Sequence, residues 1–306
     1  MQPVDKVWMN GELVDWRDAT VHVLSHGLHY GTGVFEGIRC YETARGPAVF
    51  RPREHFDRMR RSAKVFLMDI PYSVDAMVEA THELIRVNGL MSCYVRPIAF
   101  RGYGEMGVDP SGSPVDVAIA VWPWGAYLGD EALRSGVRMT VSSWRRHDHN
   151  IIPPAAKVTG GYVNSSVAKL EAVRAGFDEA IMLNPQGYVS EATGENIFIV
   201  FEGEIFTPPL GAGPLPGITR SSVMTIAADL GMPVKERQVA RADLYTADEI
   251  FCTGTAAEVT PVREIDGRVL GDPGPVTQTM QQKYFSIMRG EDEKYIGWLD
   301  FVSPSP

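Results

Sequence analysis

Cysteine is scarce in this sequence of 306 residues: there are three, Cys40, Cys93 and Cys252, far apart along the chain. None lies in a Cys-x-x-Cys pair, so zinc ribbons and disulfide scaffolds are excluded as organising devices and a reduced, cytoplasmic protein is expected. Long apolar runs are missing too. The longest, near "VDVAIAVW", is far too short to cross a bilayer, and "MQPVDKVWMNGELVDW" lacks the basic and apolar regions of a signal peptide. No membrane partner is expected. Basic charge is in deficit, with 29 Lys and Arg against 38 Asp and Glu and a net charge of −9. Nucleic acids need a clustered basic surface, so that class of partner is excluded as well. Lysine itself is rare, at seven residues.

What remains is the composition of a globular enzyme, 44% hydrophobic and 22% charged, without repeats or low-complexity tracts. Its length suits one large or two medium domains. "KVWMNGELVDW" predicts a hairpin, because Asn10-Gly11 supplies the positive φ values of a type I′ turn. Strands are expected near 37–41, 48–50, 93–100, 115–122 and 137–143. Helices are expected over 54–67 and over 74–87, the latter stopped by Asn88-Gly89. "PWGAYLGDEALRSG" has no clear periodicity and is the best domain connection. In "GYVNSSVAKLEAVRAG", Val163, Val167, Leu170 and Val173 form one helical stripe, ended by Gly176. A meander over 179–209, a helix from Thr219 toward Leu230 and a strand–turn–strand over 249–262 complete the pattern. The expected architecture is α+β, with a smaller N-terminal domain (1–122), an interdomain loop (123–135) and a larger C-terminal domain (136–306).

One lysine stands out. Lys157, in "IIPPAAKVTGGYVNSS", lies between prolines and alanines on one side and a Thr-Gly-Gly turn on the other. The other six lysines sit in polar or amphipathic surroundings. Small neighbours let a flat cofactor approach, and a lysine amine forms a Schiff base with an aldehyde; a loop lysine on a carboxylate is the plainer reading. "SEATGENIF" places Glu191 and Glu195 around a turn. One of them could keep a pyridine nitrogen protonated, as pyridoxal phosphate requires, or both could be exposed hairpin acids. "LPGITRSS" and "TGTAAE" offer two anion-cradling turns, and Arg58 offers a forked cation; glycine- and threonine-rich caps are common, however. The one basic concentration, Arg51–Arg53 with Arg58–Arg61, reads as a solvated helix face or a local anion site. His22, His26 and His29, with "HDH" at 147–149, raise the possibility of a metal. "VHVLSHGLHYGTGVFEG" reads instead as strand and glycine-punctuated loop, which scatters those rings.

In chain order, "SHGLHYGTGVFEGIRCYE", "FRPREHFDRM", "YVRPIAFRG", "PWGAYLG", "AAKVTGGYVNS", "SEATGENIF", "LPGITR" and "GTAAEVTPV" resemble the class IV pyridoxal-phosphate aminotransferases, specifically the branched-chain amino acid type, over nearly the whole chain. The resemblance implies the two-domain fold type IV of the D-amino acid aminotransferase kind, with pyridoxal 5′-phosphate as cofactor. It implies transfer of the amino group of leucine, isoleucine or valine to 2-oxoglutarate. D-amino acid or (R)-amine transaminases and aminodeoxychorismate lyase-like enzymes are the neighbouring alternatives, and a non-catalytic cofactor carrier a remote one.

By the same resemblance Lys157 carries the cofactor and moves the proton, Tyr162 meets its O3′, and Glu191 meets its ring nitrogen, with Glu195 behind. Arg58, Ile218, Thr219 and Thr255 would hold the phosphate. Phe35, Gly37, Trp124 and Tyr127, with Tyr30 and Val108 from a neighbouring subunit, would line the side-chain pocket. Tyr94, Thr255 and Ala256 would bind the α-carboxylate, and Arg96 with Arg39 the distal carboxylate of glutamate. A homo-oligomer is implied, a dimer or a hexamer of dimers. Two features depart from the family: the order Val-Thr-Gly-Gly-Tyr after the lysine, and the highly charged "RRHDHN" before Ile151.

Overall fold

The structure, a computed structural model, describes residues 2–125 and 129–303. Contacts divide the chain into two compact units. The first comprises Met1–Trp124, Ala156–Gly160 and Ile287–Pro306; the second comprises Gly125–Ala155 and Gly161–Ser286. The segment from Ile287 onward and the strip bearing Lys157 therefore group with the N-terminal unit, whereas the sequence places both in the C-terminal domain.

In the first unit come β1 (Lys6–Met9), β2 (Glu12–Asp15), α1 (His26–Tyr30), β3 (Gly33–Phe35), β4 (Ile38–Thr43), β5 (Gly46–Phe50), α2 (Pro52–Ala63), α3 (Val74–Val87), β6 (Cys93–Arg101) and β7 (Val115–Trp122). The β1–β2 turn has Asn10 at φ 51° and Gly11 at φ 98°, as the hairpin signal requires. The α3 helix spans the expected residues, with the Ser73 side chain accepting from Ala76 N at its start. One expected loop is in part a helix: His26–Tyr30 forms the short α1, stopped by Gly31 at φ 65°.

The second unit holds α4 (Asp130–Ser135), β8 (Val137–Val141), α5 (Tyr162–Arg174), β9 (Glu179–Leu183), β10 (Val189–Ala192), β11 (Asn196–Phe201), β12 (Glu204–Thr207), α6 (Ile218–Asp229), β13 (Lys235–Glu236), α7 (Asp243–Thr246), β14 (Glu249–Gly254), β15 (Glu258–Ile265) and β16 (Arg268–Val269). After α8 (Pro275–Met288), β17 (Leu299–Phe301) returns to pair with β5. Among the described residues the first sheet has the order β17-β5-β4-β6-β7-β1-β2, with β3 on β6. The second runs β10-β9-β8-β15-β14-β11-β12-β13, with β16 on β15. Mixed helix and strand in both units makes the chain α+β.

Alternation along β6 and β7 sorts the first sheet into two faces. Cys93, Val95, Ala99, Val117, Ile119 and Val121 are fully buried on the face that meets α2 and α3. Tyr94, Arg96, Ile98, Ala118, Ala120 and Trp122 alternate with them onto the other face. In the second unit the apolar stripe of α5 is not the face that packs inward. Val163, Leu170 and Val173 are exposed, and Ala168 and Ala172 are buried against Ala180 and Met182. Small residues let the helix lie close on β9. Among the described residues no helix is long and apolar enough to cross a membrane.

Candidate active site

In the first unit, strand pairing fixes Lys157. Val158 bridges Val34, Phe35 N donates to Lys157 O at 3.1 Å, and Lys157 N donates to Ser62 Oγ at 3.0 Å. The Lys157 amine lies 4.9 Å from the centre of the Phe35 ring. This approach depends on a backbone contact that only glycine permits. A Cβ on Gly31 would fall 2.6 Å from Gly160 Cα, at a φ of +65°. Gly160, three residues after the lysine, thus seats the strip against the turn that ends α1.

Beside it lies a buried charge cluster. Glu36, fully buried, accepts from Arg58 Nε and Nη2 at 2.7 Å each and pairs with His55 Nδ1 at 2.8 Å. Burial alone pushes the Glu36 carboxyl up, but the Arg58 charge and the hydrogen bonds from Arg58 and His55 outweigh it and hold the acid well below the usual carboxylate range. Burial lowers the His55 pKa, with Arg58 and Lys157 acting in the same direction against the pull of Glu36.

The strand register assembles a second group. Arg39 lies opposite Tyr94, and Tyr94 opposite Trp122, across β4, β6 and β7. Tyr94 packs its ring 5.1 Å from both Trp122 and Trp124. Arg96, two residues along the same face, sits 4.9 Å over the Phe35 ring and 5.2 Å over the Tyr94 ring. Its Nη2 donates to Tyr94 Oη at 3.3 Å, while its buried Nε has no hydrogen-bond partner among the described residues. Gly37 completes the group, since a Cβ there would meet Tyr94 Oη at 1.9 Å. The result is an aromatic wall with a cation at its rim. Tyr30 and Val108 are 45% and 84% exposed, and Tyr127 lies outside the described residues.

The second unit carries the remaining residues. Glu191, buried on β10, pairs through Oε1 with Arg146 Nη2 at 2.7 Å. Its Oε2 accepts from Leu215 N at 3.0 Å and Asn196 Nδ2 at 3.2 Å. Glu195 has a different environment: it accepts from Gly194 N at 3.1 Å, and burial, reinforced by Glu179 and only partly offset by Lys169, pushes its pKa up to about 8. The two acids of "SEATGENIF" thus have opposite electrostatic surroundings. Tyr162 opens α5, and Ile218 and Thr219 open α6, where the first N–H groups lack intrahelical acceptors. Gly217 must be glycine there, because a Cβ would fall 2.0 Å from Asn196 Oδ1. Thr255 and Ala256 form the β14–β15 turn.

Three buried groups escaped the sequence reading. Glu36 and His55 have no local pattern, though an acid inside the apolar run Gly33–Ile38 was a signal that could have found the first. Arg146 belongs to the "RRHDHN" excess of charge, whose purpose its pairing with Glu191 now gives. The histidines do not gather: His26 contacts Thr32 Oγ1 and Gly107 O at 2.7 Å each, and His29 meets Val23 O. Among the described residues no three His, Cys, Asp or Glu side chains converge as metal ligands. Cys40 and Cys93, distant in sequence, are direct cross-strand partners as free thiols.

The family model for amino-transferase class IV matches residues 33–265. A curated relative, the branched-chain-amino-acid aminotransferase of Salmonella typhimurium, is 51% identical over 302 residues and covers 98% of each chain. The crystal structure of the Escherichia coli branched-chain amino acid aminotransferase superposes with a TM-score of 0.96 at 50% identity, covering 98% of this chain and 100% of that one. The branched-chain amino acid aminotransferase from Thermobaculum terrenum, in its PLP-bound holo form, gives 0.93 at 33% identity, over 99% and 100%. The chain belongs to the class IV aminotransferases and, within them, to the branched-chain-amino-acid aminotransferase family.

Proposed function

We propose that this protein transfers the amino group of L-leucine, L-isoleucine or L-valine to 2-oxoglutarate, with pyridoxal 5′-phosphate as its cofactor. The observation that carries the reading is the wall of Phe35, Tyr94, Trp122 and Trp124 with Arg96 at its rim, its Nε unpartnered. A transaminase that accepts both an isobutyl and a carboxylate side chain must offer apolar surface and a cation together, because an unpaired buried carboxylate is costly. The donor set also suits the cofactor. The first turn of α6 offers N–H groups to an anion, Arg58 would add a cation already oriented by Glu36, the α6 turn approaches Asn196 only because residue 217 is glycine, and Glu191 is a buried acid among oriented donors.

When bound, the cofactor supplies an aldehyde for imine exchange and an electron-withdrawing ring that acidifies the substrate Cα–H. Lys157 would anchor it and would take the Cα proton. Tyr162 would orient the O3′ edge and Glu191 would keep the proton on the ring nitrogen. Tyr94 and the Thr255–Ala256 amides hold the α-carboxylate. Arg96, with Arg39, meets the distal carboxylate of glutamate. Borohydride reduction of the holoenzyme should fix the cofactor on Lys157 and on no other lysine.

Arg96→Leu should lower kcat/KM for glutamate by about a hundredfold, as expected for a lost charge-assisted contact, and that for leucine by less than tenfold. A donor panel of leucine, isoleucine, valine, D-alanine and (R)-1-phenylethylamine checks specificity; a preference for either of the last two overturns the reading. We further propose a cytoplasmic homodimer as the smallest active unit. In support, Val21, Val23, Leu24, Leu28 and Tyr30 are exposed beside an apolar groove of about 500 Å³ lined by Met9, Ile98, Ala118 and Ala120.

A further inference from the structure

We propose that Arg146 is a positioning residue for the cofactor ring: through its ion pair it keeps Glu191 a carboxylate, and thereby decides which of the two, acid or ring nitrogen, holds the shared proton. The inference rests on the reading of Glu191 as the nitrogen's partner.

The geometry gives Arg146 little other employment. Its backbone is fixed by a 2.8 Å hydrogen bond from Arg146 N to Leu183 O, and the side chain is 8% exposed. Nη2 reaches Glu191 Oε1 at 2.7 Å, Nη1 donates to Ser165 Oγ at 3.3 Å, and the buried Nε has no partner among the described residues. A buried ion pair is weak evidence of a stability role, because desolvating two charges offsets most of their attraction. A guanidinium 2.7 Å from a buried carboxylate favours its charged form.

Glu195 shows what happens without such a partner. It lies four residues on in the same buried region, near Glu179, with Lys169 only partly offsetting burial, and its proton is held to about pH 8. Glu191 and Glu195 repel one another only when both are charged, which raises the Glu195 pKa further. Deprived of Arg146, Glu191 would keep the neutral donors Leu215 N and Asn196 Nδ2 but would lose the guanidinium charge that offsets its burial. Protonated, it would donate to the ring nitrogen instead of accepting from it, and the ring would lose its positive charge.

The test compares binding of pyridoxal phosphate with that of a carbocyclic analogue in which the ring nitrogen is CH. Dissociation constants are measured on apoproteins of the wild type, Arg146→Met, Arg146→Lys and Glu191→Gln. We expect Arg146→Met to lose about tenfold or more of the preference for the nitrogen-bearing ring, with affinity for the analogue changed less than threefold. Arg146→Lys should keep most of the preference. Equal weakening of both ligands in Arg146→Met would mean a merely structural role and overturn the proposal, as would an unchanged preference. If Arg146→Met does not fold, Arg146→Gln carries the same expectation. Glu191→Gln separates the two claims. If it abolishes the preference while Arg146→Met retains it, the Arg146 proposal alone fails; if it leaves the preference intact, the Glu191 reading fails and takes the proposal with it.

Discussion

At the scale of single residues, the two acids of one hairpin show how environment assigns roles that residue type does not. Both are buried glutamates, yet one faces a guanidinium and the other faces acids. Glu195 therefore makes stability depend on pH. Its folded pKa, about 8, lies above the ordinary 4.5, so its contribution is complete below pH 4.5 and is lost as pH rises through 8. Glu195→Gln, which mimics the protonated acid, should be more stable relative to wild type at pH 8.5 than at pH 5 by on the order of 3 kcal/mol. Urea unfolding at the two pH values measures it; a difference independent of pH would refute the buried, protonated state. Lys157 and Glu191 were legible in the sequence because each stands in unusual company. Glu36 and His55 were not, because what gives them meaning is Arg58, 22 and 3 residues away, and burial that no local pattern announces.

Among elements, strands were easier to place than helix faces. The alternation of β6 and β7 and the Asn-Gly turn of β1–β2 are short-range signals, and the structure follows them. The α5 helix lies where its periodicity places it, but Val163, Leu170 and Val173 of its apolar stripe are exposed and its small residues are buried. Close helix-on-sheet approach rewards alanine, which a hydrophobicity pattern does not count as a core residue. Ala168→Leu should accordingly cost about 1–3 kcal/mol by overpacking against Ala180 and Met182, seen as a lower midpoint in thermal or urea unfolding. A neutral result would mean that α5 can lift from β9 without penalty. The short α1 escaped notice because glycine-rich punctuation masks a helix of one turn.

For the molecule as a whole, the α+β class and the order of motifs were readable from sequence; the grouping of segments was not. Nothing local marks Ala156–Gly160 or the stretch from Ile287 as belonging with the first unit, because strand pairing across such distances leaves no trace in composition. Assembly belongs at this scale too. The double substitution Val23→Lys and Leu28→Lys, at positions each 65% exposed, should convert the proposed dimer into monomers. Light scattering on the purified protein decides it, and an unchanged mass would move the interface elsewhere.

The pairing of Leu299–Phe301 with the outer edge of Gly46–Phe50 has a consequence for biogenesis. While the ribosome is still translating the second unit, β5 has been made and its closing strand has not, so the nascent chain carries an open sheet edge of the kind that invites misassociation. The first unit can complete its sheet only after the whole of the second has been synthesised.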